Sequence, residues 1–319
     1  WAGAILCLCA VFFVGLLFFF KYYDPLAELL SLPTHGLSLP IGISFYTFQL
    51  LSYVIDVYKK DVPAQKNFFW LLLYASMFHQ CIAGPIVRYK DVEAEITSRR
   101  IKEKEVAEGI SRFTTGLAKK ALIANTCGSL SDTLLVSDSF MATSPADALS
   151  FLAQSSVAGL WLGMGFYMLQ IYLDFSAYSD MAIGMGKMMG FHFKENFNYP
   201  YTASSITDFW RRWHISLSTW FKEYLYIPLG GNRKGKYRTY LNLWVVFLAT
   251  GIWHGAAWNF VMWGIFHGFF IFVERVGFKK VLDKHKVLGH TYTLLVVLFG
   301  WVLFRASGIK HAVKYIGVM

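Results

Sequence analysis

Long runs without a charged residue divide this 319-residue chain. Each run holds between 18 and 34 residues that include no Asp, Glu, Lys or Arg. A membrane hydrocarbon core of roughly 30 Å requires about 20 apolar helical residues to cross it. The pattern therefore predicts an all-α, polytopic membrane protein whose spans lie in these runs. The runs are Trp1–Phe20, Leu37–Ile55, Asn67–Val87, Ala148–Leu173, Tyr240–Val273 and Val287–Phe304.

Two of these runs depart from a simple crossing helix. Tyr240–Val273 is too long for one untilted span, so it predicts either two helical pieces or one bent helix. Asn67–Val87 has basic residues on both flanks, which the positive-inside rule does not favour for a single crossing. Gly84-Pro85 would also break a helix near its end. We therefore expect this segment to re-enter on one side, or to be an exception to the rule.

The sequence also predicts structure for four further segments. Val106–Leu135 is expected to be a mixed helix, and Ser137–Asp147 a polar loop. Ala148–Gly190 is predicted to be a long helical region. Asn196–Tyr240 holds many aromatic and basic residues together, which suits a cytoplasmic or re-entrant element packed at the membrane face.

Composition supports the membrane assignment and narrows the possible partners. The chain is 55% hydrophobic and 16% charged, whereas soluble domains are usually near 25% charged. The net charge is +10, but the basic residues flank apolar spans, so they predict membrane topology and contact with anionic lipid rather than nucleic acid. The cysteines lack zinc-type spacing, and no metal site is predicted. Residues 1–319 are expected to form one membrane domain, as a fragment lacking terminal spans, because Trp1 already lies inside an apolar run.

The first candidate for chemistry is the segment Asp208–Ser218. A helix starting here would make Asp208 and Arg212 neighbours one turn apart, and likewise Trp210 and His214. The neighbouring Arg211 and Arg212 would favour the neutral form of the His214 imidazole, which can accept or donate a hydrogen bond. The alternative is an interfacial helix with a tryptophan belt and extended arginine side chains. The candidate N-caps are Ser204, Ser205 and Thr207.

A second candidate is His254, which lies within the longest uncharged run. Ionisable residues inside a membrane suggest function, although a hydrogen-bonded structural histidine is an equal alternative. Gly251 and Gly255 would allow backbone or ligand to approach closely. His267 lies thirteen residues further on and would point roughly 220° away on a continuous helix. His267 is therefore predicted to be structural and not to share a site with His254.

A third group lies in the long helical region after residue 148. Asp174 and Asp180 are six residues apart and fall on different faces of a regular helix. They therefore make a poor acid–base pair, and a helix-packing or polar-network role is favoured. Asp174 and Tyr178 are nevertheless kept as candidates for substrate binding.

Several motifs in order along the chain resemble the membrane-bound O-acyltransferase family, and within it the bacterial branch that O-acetylates alginate. Together they extend from about Ser38 to Arg305, which is most of the chain, and the order makes the resemblance specific. The matching segments are Ser38–Gln49, Gly84–Tyr89, Leu173–Gly184, Asp208–Ser218, Tyr224–Arg233 and Trp253–Gly255.

The resemblance implies a multi-helix membrane fold with re-entrant segments and a central tunnel. It implies transfer of an acyl group, expected to be acetyl, from acetyl-CoA or another cytoplasmic thioester toward an extracytoplasmic polysaccharide. His254 matches the position treated as catalytic in the family, and His214 matches its partner position. Cations including Lys222 and Arg233 would suit the donor phosphates. The candidate substrate- or donor-binding residues are Trp210, Arg211, Arg212, Asp174, Tyr178 and Asn259.

The resemblance further implies a location in the cell membrane, no bound cofactor, and an extracytoplasmic SGNH-type acetyltransferase as partner. Three alternatives stay open at this point. D-alanyl transfer to teichoic acid is the related activity. A secondary transporter would be expected to carry inverted repeats, and the sequence shows none. A non-enzymatic scaffold would tolerate substitution of both His214 and His254.

Overall fold

The structure is a computed structural model that describes residues 1–80, 84–136, 140 and 143–319. Within these residues the chain is helical and contains no strand. The first helices are α1 (Ala2–Leu29), α2 (Ile43–Lys59), α3 (Phe68–Ser76), α4 (Tyr89–Thr97), α5 (Glu103–Ala118), α6 (Asn125–Leu134), α7 (Pro145–Gln154) and α8 (Val157–Met188). They are followed by α9 (Ile206–Arg212), α10 (Ile215–Phe221), α11 (Gly235–His254), α12 (Trp258–Val273), α13 (Lys279–Lys284), α14 (Lys286–Arg305) and α15 (Ile309–Val318).

Helices long and apolar enough to cross a membrane confirm the predicted class of a multi-pass membrane protein. Among the described residues, three helices qualify by length and composition, namely Ala2–Leu29, Trp258–Lys284 and Lys286–Arg305. The apolar stretch of α1 is not covered by the rest of the described protein, as expected for a helix surrounded by lipid. Helices α7 and α8 form a fourth candidate, bent by 114° at the break between them.

The longest uncharged run divides into two helices, which confirms the first of the two predicted alternatives. Helix α11 ends at His254, and α12 starts at Trp258. The two helices pack closely through glycines. A Cβ atom on Gly251 would lie 2.5 Å from the carbonyl oxygen of Phe260, so no larger residue fits at this contact.

The run Asn67–Val87 is not an unbroken crossing helix. Helix α3 has nine residues and is therefore about 14 Å long, much shorter than a hydrocarbon core of roughly 30 Å. A short 3₁₀ turn, Phe78–Gln80, follows it. This break agrees with the re-entrant alternative, although Cys81–Ala83 lie outside the described residues.

The remaining helical predictions are confirmed with local breaks. The mixed helix expected over Val106–Leu135 consists of α5, a π-helical segment and α6. The region Ala148–Gly190 is helical, with a break after Gln154. Part of the predicted loop Ser137–Asp147 lies outside the described residues, and its last residues begin helix α7 at Pro145.

The described chain divides into two compact units, each assembled from separate stretches of sequence. The first unit comprises Trp1–Leu117, Phe175–Asn196 and His214–Tyr224. The second comprises Ala118–Asp174, Phe197–Trp213 and Leu225–Met319. His214 thus belongs to the first unit and His254 to the second. Neither unit is a continuous stretch of chain. The single membrane domain expected over residues 1–319 therefore stays a prediction.

Candidate active site

The segment that carries His214 begins as the sequence predicted. Ser205 is the N-cap of α9, and its Oγ accepts a hydrogen bond from the backbone N–H of Asp208 at 3.0 Å. One turn later, Arg212 Nε donates to the carboxylate of Asp208 at 2.9 Å. Both contacts are local in sequence, which explains why the spacing alone could predict them.

The expected continuation of this helix through His214 is wrong. Helix α9 ends at Arg212, so Trp210 and His214 do not share one helix. The carbonyl of Arg212 accepts instead from the backbone N–H of Asn198 at 2.9 Å. Trp213 adopts extended backbone angles and is buried, with its ring centroid 4.9 Å from that of Trp301. Packing of this large indole outweighs the local helical preference.

His214 lies in a left-handed backbone conformation, with φ 45° and ψ 55°, and precedes helix α10. Residues other than glycine rarely adopt this region, and such strained positions concentrate at functional sites. The side chain is buried. Its Nδ1 lies 3.1 Å from Oδ1 of Asn196, and the edge of the ring contacts Phe175 at a centroid distance of 4.7 Å.

Asn196 is a site residue that the sequence analysis missed. Its carboxamide is buried and contacts His214 and Ser216 within the first unit. Asn196 precedes His214 by 18 residues, and because the chain between them is not one helix, helical spacing does not pair them. In the sequence, Asn196 stands out only as a polar amide in an aromatic stretch, and this does not identify the residue that it contacts.

A cleft that is partly open to solvent lies beside this cluster in the first unit. Ser216 and Ile86 lie on its wall, and Ser216 Oγ accepts a hydrogen bond from the backbone N–H of Ile86 at 2.9 Å. Arg88 and Lys194 place positive charge at the same wall. The cleft thus combines polar hydroxyl and cationic groups close to the cluster that holds His214.

Most of that positive charge is neutralised by carboxylates. Arg88 pairs with Asp91 at 2.8 Å and with Glu223 at 2.6 Å, while Lys90 pairs with Glu223 at 2.9 Å. Burial opposes ionisation of Asp91, but hydrogen bonds from Arg88 and Lys194 outweigh it and lower its pKa. The pKa of Glu223 is also lowered, because hydrogen bonds from Lys90 and Arg88 outweigh its burial. Both carboxylates therefore remain charged near neutral pH.

His254 occupies the C-terminal end of α11 in the second unit. Its half-buried ring is surrounded by aromatic side chains, with centroid distances of 4.7 Å to Trp253, 5.0 Å to Trp263 and 5.1 Å to Phe304. The chain becomes extended at Gly255, where a Cβ atom would lie 2.7 Å from the ring of Phe260. The predicted close approach of backbone is therefore confirmed at Gly251, whereas at Gly255 the close neighbour is a side chain.

His267 lies nearer to His254 than the continuous-helix argument allowed. The two histidines would point in different directions only on an unbroken helix, whereas the chain breaks after His254. Both imidazoles contact the same indole, Trp263, at centroid distances of 5.0 and 4.9 Å. His267 is almost completely buried, and a Cβ atom on Gly300 would lie 2.5 Å from its Nε2. Within the described part of the chain, Nδ1 of His267 has no hydrogen-bond partner.

Several candidate substrate-binding residues have structural partners in the second unit. Asp174 pairs with Lys120 at 2.7 Å and accepts a hydrogen bond from Gln170, as the favoured polar-network interpretation predicted. Asn259 is buried, and its amide donates to the carbonyls of Leu303 and Ala306 at 3.2 and 2.7 Å. These contacts hold helix ends together, and they leave a role in substrate binding as a prediction.

The remaining candidates differ in exposure. Trp210 packs its ring edge-to-face against Trp263 and His267 in the second unit. Arg211 is exposed, whereas its neighbour Arg212 is engaged by Asp208. Tyr178, in the first unit, is also exposed. Asp180, two residues further on, pairs with Arg112 at 2.9 Å, which again fits the predicted polar network.

Three curated relatives illustrate what the chain is similar to. It is 45% identical over 287 residues to a Pseudomonas putida protein named "probable alginate O-acetylase", covering 90% of this chain and 56% of the relative. It is 36% identical to the peptidoglycan O-acetyltransferase of Helicobacter pylori, covering 94% of this chain and 62% of the relative. It is 26% identical to the teichoic acid D-alanyltransferase of Bacillus subtilis, covering 88% and 72%.

The chain spans little more than half the length of the alginate O-acetylases it matches. The model of one protein family matches residues 59–312, a range that includes His214, His254 and the residues that contact them. This match agrees with the apolar helices and with the ordered motifs along the sequence. The chain belongs to the membrane-bound O-acyltransferase family.

Proposed function

We propose that this chain transfers an acetyl group from a cytoplasmic thioester, acetyl-CoA, toward a polysaccharide outside the cell membrane. The observation that carries the proposal is the similarity over 90% of the chain to alginate O-acetylases. The 45% identity to those proteins exceeds the 26% identity to the D-alanyltransferase, which favours acetyl over D-alanyl as the transferred group.

In the proposed reaction, an acceptor hydroxyl attacks the thioester carbonyl, a C–O bond forms and the C–S bond breaks. His254 takes the proton from the attacking hydroxyl and returns it to the departing thiolate. Its aromatic surroundings shield part of the imidazole from water, which strengthens electrostatic interactions there. His214 either orients the hydroxyl or stabilises the oxyanion.

The donor and the partner belong to the same proposal. Exposed cations, including Arg211 and Arg233, would meet the phosphates of acetyl-CoA at the cytoplasmic face. A central tunnel would connect that face with the outside, where an SGNH-type acetyltransferase would carry the group to the polysaccharide. The basic flanks of the apolar helices would contact anionic lipid of the cell membrane.

The test uses the purified protein in liposomes with radiolabelled acetyl-CoA. We expect release of free thiol and delivery of label to an acceptor polysaccharide supplied with its SGNH-type acetyltransferase. Turnover of a D-alanyl thioester but not of acetyl-CoA would replace the acetyl assignment. Solute uptake without any thioester turnover would contradict the enzymatic assignment and favour a transporter.

A further inference from the structure

The buried carboxamide of Asn196 joins three separate segments of the first unit. Its Oδ1 lies 3.1 Å from Nδ1 of His214 and accepts from Ser216, at 3.2 Å from the backbone N–H and 2.9 Å from the hydroxyl. Its Nδ2 donates to the carbonyl of Gly84 at 3.3 Å and to Oγ of Ser179 at 3.1 Å. The side chain has no exposed surface, so these contacts hold it in one orientation.

The orientation of this amide follows from backbone groups alone. The backbone N–H of Ser216 can only donate, so the atom facing it must be the amide oxygen. The carbonyl of Gly84 can only accept, so the atom facing it must be the amide nitrogen. The two contacts assign the amide without reference to the histidine, which removes the usual ambiguity between its two flipped states.

The assigned amide determines which nitrogen of His214 carries the proton. An amide oxygen is only an acceptor, so the 3.1 Å contact requires Nδ1 of His214 to donate to it. The hydroxyl of Ser216 lies 3.4 Å from the same nitrogen, but its one proton goes to Oδ1 of Asn196 at 2.9 Å. In the neutral imidazole, the lone pair then lies on Nε2. An amide also adds no negative charge, so it orients the ring without favouring the imidazolium as a carboxylate would.

We propose that Asn196 is the positioning residue that holds His214 with its proton on Nδ1, so that Nε2 accepts a hydrogen bond from the bound acceptor, whose attacking hydroxyl keeps its own proton for His254. This rests on the proposed acyl transfer, and it selects between the two roles left open for His214. A neutral histidine with its lone pair on Nε2 can orient a hydroxyl, but it cannot donate from that nitrogen to an oxyanion.

The tautomer can be measured directly by NMR on protein labelled with ¹⁵N-histidine. The resonances of His214 are identified as those lost from the spectrum of a His214→Gln variant. We expect a protonated Nδ1 and an unprotonated Nε2 in the wild-type protein near neutral pH. Finding the proton on Nε2 would overturn the proposal, and this measurement requires no variant at Asn196 to fold.

Variants at Asn196 add a kinetic test. Asn196→Ala should yield a mixture of tautomers and reduce kcat about 10²-fold, because a misoriented imidazole no longer positions the acceptor for attack, while KM for acetyl-CoA changes little. Asn196→Asp keeps an acceptor for Nδ1 but adds charge. It should recover part of the rate and move the acidic limb of the pH–rate profile to higher pH.

Ser179→Ala is the matched control, because it removes one partner of the amide nitrogen and leaves the contacts of the oxygen. It should retain the wild-type tautomer, whereas a purely structural role of the network predicts that it resembles Asn196→Ala. A wild-type tautomer and rate in Asn196→Ala would contradict the proposal. Absence of thioester turnover in the wild-type protein would instead refute the proposed function, and the NMR spectrum would still decide the tautomer.

Discussion

Glu274 is predicted to stabilise the helix that leads to His214. Its buried carboxylate lies at the N-terminus of α9 and accepts three hydrogen bonds within the second unit. The donors are the backbone N–H of Ile206 at 2.5 Å, the backbone N–H of Thr207 at 2.9 Å and the hydroxyl of Thr207 at 2.6 Å. A negative charge at this end also interacts favourably with the helix dipole.

The expected magnitude follows from these three contacts. Hydrogen bonds to a charged group contribute about 1.5–3 kcal/mol each, and the values are not additive because water reaches some freed donors. We expect Glu274→Ala to lower the free energy of unfolding by about 3 kcal/mol. Glu274→Gln should lose less, because its amide oxygen still accepts while its NH₂ group faces a donor of Thr207.

Thermal unfolding in detergent, followed by size-exclusion chromatography after heating, measures this change. At about 2–4 °C per kcal/mol, the midpoint of Glu274→Ala should fall by about 6–12 °C. Asp61→Ala is the matched control, because Asp61 is exposed and lies outside the helices, and surface substitutions usually change stability by less than about 0.5 kcal/mol. A midpoint within about 2 °C of wild type for Glu274→Ala would refute the capping argument.

Three further predictions concern packing, a helix end and pH. Gly300→Ala should destabilise the protein by about 1–3 kcal/mol, since the new Cβ meets the buried imidazole of His267. At Gly308 a Cβ atom has open space, so Gly308→Ala should leave the unfolding midpoint unchanged. Asn259→Ala should lower the free energy of unfolding by about 1–3 kcal/mol, because two hydrogen bonds are lost. Unchanged stability together with a raised KM for acetyl-CoA would instead support a role of Asn259 in donor binding. The lowered pKa values of Asp91 and Glu223 contribute stability above about pH 4, which is lost as pH falls through the lowered values. Melting curves of wild type and Asp91→Asn between neutral and acidic pH should show a flatter profile in the variant, and identical profiles would contradict this.

The features predicted from sequence are those with local causes. The cap at Ser205 and the ion pair between Asp208 and Arg212 depend on residues three or four positions apart, so a helical pattern suffices to place them. The apolar runs likewise predicted spans, because their length and lack of charge reflect the thickness of the hydrocarbon core. The excess length of the run Tyr240–Val273 predicted either two helical pieces or one bent helix, and the structure has two helices.

The features that were not predicted depend on contacts between distant segments. Helix α9 stops at Arg212 because the backbone of Asn198 and the ring of Trp301 hold the chain there. Asn196 meets His214 across 18 residues that include a non-helical segment and a separate helix, so helical spacing does not predict the contact. The break after His254 likewise brings a second histidine to the same indole, where a continuous helix would separate them. Tertiary packing thus determined the immediate environment of both histidines.

The central claim is that His254 acts in acyl transfer from acetyl-CoA, and one measurement tests it most directly. Thioester turnover is compared in liposomes for wild type, His254→Ala and His285→Ala, with folding confirmed by the elution profile and unfolding midpoint. His285 is exposed and should retain wild-type turnover. We expect thioester turnover to fall by about 10²–10⁴-fold for His254→Ala in a folded protein. Turnover close to wild type in that variant would contradict the role of His254.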